Sequence, residues 1–363
     1  MKRLKIVDQP VPVLLKDMYL VNPQLNSIVK GIQSMARRKK LTVRMTSSFD
    51  EVIDWCFRGN VRAAIVLSYS KAEAELLARR FYEKRIHPVF TNMQPDGSVY
   101  PYSCVTQDYH YICDLLVSEA VRGGAKKIAY VGNNPDSYTD YQRFCELQRG
   151  VKEYGLLCDV YDNVGNIRDC IDAYLHRADE YDAVICANDI IAVLLVRQFK
   201  NPESRNIMGF GGMVIGEQIR GFKTIALDYF GIGSHAVEIF SLLVKEKDLG
   251  SITMTVTSRD THEAEVLRPR EEEGEARERI DFYDDGDVIR TSALENLLLN
   301  CDDVDRTILR CLLRGDHYNA IEENNYISLN TIKYRINKMI KNAGVEDKNG
   351  LLALIRSYDI KFE

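Results

Sequence analysis

Seven side chains near the end of the chain, Asn330, Thr331, Lys333, Tyr334, Asn337, Lys338 and Lys341, are spaced so that an α-helix gathers them on its outward surface. Their chemistry is that of a nucleic-acid reader: ammonium groups neutralise phosphates, while amides and a tyrosine hydroxyl can address base edges. Lys333, Tyr334 and Asn337 run along the middle of this stripe and are expected to meet bases. Thr331, Lys338 and Lys341 flank it and are expected to meet phosphates. The stretch SLNTIKYRINKMIKNAG, from Ser328 to Gly344, contains no acidic residue, so Lys333, Arg335, Lys338 and Lys341 read as unopposed cations. A solvated basic face is the plainer alternative, and the neighbouring elements must decide between them.

Ile332, Ile336, Met339, Ile340 and Ala343 supply the apolar stripe that would seat such a helix, with Ser328 as N-cap and Gly344 as terminator. Upstream, Val304, Ile308, Leu309, Leu312 and Leu313 form a second stripe broken at Gly315-Asp316. A short helix carrying Ala320 and Ile321 follows, then a tight turn into the Ser328 helix. Two helices joined by a short turn, the second one basic, make a helix-turn-helix pattern. A further helix is expected over VEDKNGLLALIRSY. The order of Gly315, Ile321, Ile327-Ser328, Thr331-Ile332-Lys333, Gly344-Val345 and the closing Leu-Leu-Ala-Leu resembles the LuxR-type helix-turn-helix family. Glu322 stands where that family usually has a small residue, and Asn325 where it usually has an apolar one.

Composition makes any such contact local. The 363 residues carry a net charge of −5, which argues against nucleic-acid binding over the whole surface. Nine scattered cysteines with no C-x-x-C read as reduced thiols in core positions, which points to a cytoplasmic protein. Pro10 and Pro12 interrupt any signal-peptide apolar region, and no apolar run is long enough for a membrane span. The six histidines form no H-E-x-x-H, and no G-x-S-x-G is present. An enzyme is not expected, and neither a metal nor a nucleotide cofactor is, since no phosphate loop or G-x-G-x-x-G follows a strand.

The preceding segment alternates short apolar runs, among them VPVLL, LTVRM, AAIVL, HPVFT, KKIAYVG, DAVICA, NIMGF and KTIAL, with helical patterns such as QLNSIVKGIQSMARRKK. Repeated βα units imply an α/β fold with parallel sheets, whose ligands sit beyond the carboxyl ends of the strands. Asn22-Pro23 after the first strand, CVTQDYHYICDLLVSEAVRGGAKKIAYVG, QRFCELQRGVKEYGL and the Ala187-Asn188-Asp189 element resemble, in that order, the effector-binding domain of LacI/GalR-type regulators over roughly residues 11 to 268. That resemblance implies a two-lobed, periplasmic-binding-protein-like fold, a small-molecule effector such as a sugar or other metabolite, and a homodimer joined mainly through the α/β domain. A regulator of that type carries its DNA-binding helices first; here they are expected last. The implied layout is residues 1–268 as effector-binding and dimerisation domain, 269–295 as acidic linker, either a solvated connector or a short charged helix, and 296–363 as helix-turn-helix domain.

Arg143 is the leading effector-binding candidate, since a guanidinium can fork two hydrogen bonds to a carboxylate or vicinal hydroxyls; a surface salt bridge is the alternative. Asn22 belongs to the Asn-Pro element of that resemblance, and Asn188, at the end of a buried strand, can donate to and accept from a ligand with one amide. Asp189 beside it, and Asp108 and Asp228 just beyond strands or crossing segments, can face a ligand or take turn or capping roles. Tyr19, Tyr69, Tyr109 and Tyr111 could stack on a ring or sugar face, or simply pack. Gly211-Gly212 replaces the aspartate usual in the family after its strand, and Ala226-Leu227 replaces a glutamine or arginine, so two alternatives to a simple sugar stand open: a more apolar metabolite, or a pocket that has lost its ligand in a domain that serves only for dimerisation. The leading expectation is an effector-responsive regulator that binds double-stranded DNA. The alternative is a cytoplasmic small-molecule-binding protein whose C-terminal helices mediate protein association.

Overall fold

A computed structural model of the chain describes residues 10–15, 22–67, 70–93, 98–219, 221–246, 249–257, 261–263 and 282–362. Tyr19 and Tyr69 lie outside these residues, as does the greater part of the acidic stretch, 269–281. The chain divides into two compact units, Met1–Arg122 with Asn133–Leu156 and Ala226–Asp260, and Gly123–Gly132 with Leu157–Ile225 and Thr261–Glu363.

The elements begin with β1 (Pro10–Leu15), α1 (Pro23–Arg38), β2 (Thr42–Thr46), α2 (Phe49–Gly59), β3 (Ala63–Leu67), α3 (Lys71–Glu83), β4 (His87–Thr91), β5 (Ser103–Gln107) and α4 (Tyr109–Arg122). The middle of the chain supplies β6 (Lys127–Asn133), α5 (Tyr138–Glu153), β7 (Leu157–Asp162), α6 (Ile167–Leu175), β8 (Ala183–Cys186), α7 (Asp189–Val196), β9 (Ile207–Gly211), α8 (Val214–Gln218) and β10 (Phe222–Ala226). Then come α9 (Tyr229–Lys245), β11 (Thr253–Val256), β12 (Thr261–Glu263), α10 (Gly286–Leu298), α11 (Asp303–Arg314), α12 (Tyr318–Asn325), α13 (Leu329–Ala343) and α14 (Lys348–Ser357).

In the first unit a six-stranded sheet runs β11-β5-β4-β3-β1-β2, and its pairings are parallel. Ile65 of β3 sits in register between Val13 and Val89, so the buried centre of the sheet is continuous Val and Ile, as a strand covered on both faces demands. Helices α1 and α9 pack so closely that a Cβ on Gly31 would lie 2.1 Å from the Phe230 carbonyl oxygen, and one on Gly233 would lie 1.9 Å from that of Ile28. Glycine is required at both positions for this approach.

The second unit holds the sheet β12-β10-β9-β8-β6-β7, with β6, β8 and β9 parallel and β12 antiparallel to β10 at the edge. Helix α7 is buried at all eight positions, which its sequence DIIAVLLV requires. The C-terminal helices belong to this same unit. Helix α10 packs against α7 and α8 on one side and against α13 and α14 on another, burying Val288, Thr291, Leu294, Leu297 and Leu298. The last ten residues of the expected linker, 286–295, are therefore helical and largely packed, because the stripe at steps of three beginning at Val288 follows directly on the charged run. Among the described residues no helix is long and apolar enough to cross a membrane. Cys56, Cys104, Cys113, Cys170, Cys186 and Cys311 are buried as expected of core thiols, whereas Cys145 is exposed.

Candidate functional site

Helix α13 forms as its spacing predicts. The Ser328 hydroxyl accepts from the Thr331 amide at 3.3 Å, and Gly344 ends the helix in the left-handed region at φ 62°. Ile332, Ile336, Met339 and Ala343 are buried, while Ile340 is only half-buried. Asn330, Thr331, Lys333, Tyr334, Asn337, Lys338 and Lys341 are all exposed.

Arg335 departs from expectation. It is not an unopposed cation: its Nη1 lies 2.7 Å from both oxygens of Asp302 and 3.0 Å from Asp305, whose side chain is fully buried. The Arg335 hydrogen bonds hold the Asp302 carboxyl at about 2, well below its ordinary range. Lys338 is also partly engaged, its Nζ 3.9 Å from Asp305. The pairing was invisible in the Ser328–Gly344 stretch because both carboxylates lie about thirty positions upstream, at the capping box that starts α11. Among the described residues, Lys333 and Lys341 have no ion-pair partner.

The two departures from the LuxR-type pattern serve the turn between α12 and α13. The Glu322 carboxylate accepts from the Leu329 amide at 3.0 Å, satisfying a first-turn N–H of α13, and the Asn325 amide donates to the Ile321 carbonyl at 3.0 Å. Tyr326, at φ 55°, makes the turn and is almost wholly exposed.

The effector candidates separate between the two units. In the first, Arg143 is 3% exposed and its Nη1 lies 3.1 Å from Asp140, so the surface salt-bridge alternative gives way to a buried pair. Burial raises the Asp140 carboxyl to about 6 against the opposing pull of Arg143. The guanidinium stands 5.5 Å from the Tyr109 ring centroid, and the Tyr109 hydroxyl donates to Asn92 at 2.9 Å, just beyond β4. Asn22 caps α1 through the Gln24 and Leu25 amides, Asp108 accepts from the Tyr111 amide, and Asp228 caps α9 through Gly231. The recess lined by Gln24, Leu25, Thr91, Asn92 and Tyr229 measures only about 10 Å³, room for about one water. Tyr111 is 44% exposed.

In the second unit Asn188, not Asp189, caps α7, accepting from the Ile191 amide at 3.0 Å. Asp189 is fully buried and accepts from the Thr224 hydroxyl at 2.7 Å and the Met213 amide at 2.8 Å, tying the loop after β9 to β10. Gly211 makes room for this carboxylate, since a Cβ there would lie 2.9 Å from Asp189 Oδ2. The same loop is held from the other side. Met213 offers no side-chain cap to α8, and the buried Glu295 of α10 supplies one, accepting from the Val214 and Ile215 amides at 2.9 and 2.7 Å. Sequence reasoning missed Asp140, Thr224 and Glu295. Only Asp140, three residues before Arg143 on one helix, left a local signal.

No known protein family and no curated protein matches the chain by sequence. Solved structures match by fold. A complex of the transcriptional regulator CelR with cellobiose is 15% identical with a TM-score of 0.59, over 69% of this chain and 82% of that one. A putative LacI transcriptional regulator from Bacillus cereus subsp. cytotoxis is 14% identical with a TM-score of 0.59, over 72% and 99%. The Lac repressor dimer bound to operator and the anti-inducer ONPF is 14% identical with a TM-score of 0.58, over 71% and 95%. The fold is the two-lobed α/β fold of LacI-family regulators, with a helical C-terminal region.

Proposed function

We propose that the chain is a non-catalytic transcription regulator that senses a small-molecule effector through its α/β portion and binds double-stranded DNA through a LuxR-type helix-turn-helix, α12 and α13. The observation that carries this reading is the outward face of α13, where seven polar and cationic side chains stand exposed on a chain of net charge −5. A local cationic face on an acidic protein suits phosphate contact at one place and repulsion elsewhere. The fold is one that solved regulators combine with cellobiose in one case and operator DNA in another, which supports an effector and an operator here. A cytoplasmic homodimer follows from the same reading.

The test is binding of the full chain to duplex DNA over a range of salt. Each phosphate neutralised contributes about −0.9 to the slope of log K against log salt. The Lys333→Ala, Lys341→Ala double variant should flatten that slope by about one unit through the phosphate contact of Lys341 and lose base discrimination through Lys333. A salt-independent interaction, or a double variant with the parent slope, removes the proposal. A second reading draws on the almost fully exposed Tyr326 and on Tyr334, 70% exposed, as anchors of a protein contact. It requires that partner binding persist at high salt.

A further inference from the structure

The second unit contains a cavity of about 550 Å³ that is separate from the capping groups described above. Its lining draws on the α/β portion through Arg168 of α6 and Arg197 at the end of α7, and on the C-terminal helices through Asp287 and Arg290 of α10 together with residues of α14. The volume lies within the roughly 300–1,000 Å³ of small-molecule sites.

Its charge is unbalanced. Three guanidinium groups line the cavity against one carboxylate, Asp287, which already pairs with both Arg168 and Arg290. Asp285 lies 3.4 Å from Arg168 but caps α10 through the Asp287 and Val288 amides. Arg197 has no carboxylate among the described residues. Its guanidinium carbon stands 4.7 Å from the centroid of the Tyr358 ring, which holds it by cation–π attraction and leaves its N–H fork available. Leu194 and Leu354 add an apolar wall.

We propose that this cavity binds a small phosphorylated metabolite, its phosphate on Arg197 with Arg290 beside it and its uncharged part against Leu194 and Leu354. A planar guanidinium with free donors matches a phosphate in two parallel hydrogen bonds, and the positive charge that remains after the Asp285 and Asp287 pairs favours an anion over a neutral ligand. Because the lining comes from both the α/β portion and the helices that pack on α13, the ligand ties these parts of the unit together. It is an input distinct from any effector held near Arg143, and it does not depend on DNA binding.

The experiment is thermal unfolding and equilibrium binding of the full chain with inorganic phosphate and glycerol phosphate, against glycerol and sodium chloride at matched ionic strength. Both phosphates should raise the melting temperature at millimolar concentration, glycerol phosphate the more, and the two controls should not. Arg197→Gln should bind about tenfold more weakly, the loss expected of one charge-assisted hydrogen bond. If Arg197→Gln does not fold, Arg290→Gln, at a more exposed position, decides by the same readout. The Lys333→Ala, Lys341→Ala variant should keep the full shift, which separates this cavity from phosphate binding on α13. The proposal is overturned if neither phosphate shifts the parent, if the arginine variants respond like the parent, or if the α13 variant loses the shift.

Discussion

Two cations two positions apart on α13 have opposite work to do. Lys333 is exposed with no ion-pair partner among the described residues, whereas Arg335 turns back to neutralise the fully buried Asp305. Removing one partner of a buried pair strands the other, at a cost of about 3–5 kcal/mol when both are enclosed; Arg335 keeps partial solvent contact, so Arg335→Ala should lose about 2–3 kcal/mol. Lys333→Ala should stay within about 0.5 kcal/mol of the parent in urea unfolding while weakening DNA binding. Equal stability of the two variants would mean that Asp305 finds another partner. The Asp302 carboxyl, depressed in the folded protein to about 2, makes a contribution that is fully present above the ordinary carboxylate pKa and lost as pH falls through about 2. Asp140 behaves in the opposite sense: raised to about 6 by burial, it binds its proton more tightly when folded, and its contribution declines as pH rises from the ordinary range through about 6. Since Arg143 pulls this value down, Arg143→Met should move the carbon-13 NMR titration of Asp140 still higher. A midpoint left near 6 would show that Arg143 does not act on it.

At the scale of elements, α10 is the member on which the second unit turns. Its Glu295 carboxylate satisfies two first-turn amides of α8, and its Thr291 hydroxyl bonds the Tyr358 hydroxyl at 2.8 Å. Glu295→Ala orphans two amide donors, each worth about 1–3 kcal/mol when buried, and should accelerate hydrogen exchange at Val214 and Ile215 selectively. Unchanged exchange there would mean that α8 is held by packing alone. The sequence pattern disclosed elements with a one-sided or fully buried stripe: α13 through Ile332, Ile336, Met339 and Ala343, and β3 through AAIVL. It did not single out β7, which is half-exposed along its length, or β11, where only Val256 is buried, because such strands lack the apolar run of a parallel core. The effector candidates were ambiguous for a related reason. The carboxyl end of a strand is both where ligands bind in α/β folds and where the next helix begins. Asn22, Asp108, Asn188 and Asp228 all accept from amides at a helix start, and nothing local in sequence separates a capping oxygen from a ligand-facing one.

For the whole molecule, the acidic net charge and the small cationic face of α13 impose a condition on function. One helix-turn-helix offers about 600–1,000 Å² of contact, and an excess of negative charge elsewhere opposes approach to DNA, so a single copy should bind weakly. Two copies related by a two-fold axis convert the second contact into an intramolecular one and raise affinity without any new residue. Duplexes selected from a random pool by the full chain should therefore be inverted repeats, with half-site centres about 34 Å or a multiple of it apart, and sedimentation should give twice the chain mass at the same concentration. Selection of single unsymmetrical half-sites by a species of one chain's mass would contradict the dimer. In that case the affinity would have to come from contacts beyond the seven side chains of α13, and the exposed Tyr326 at the turn into that helix is the first place to look.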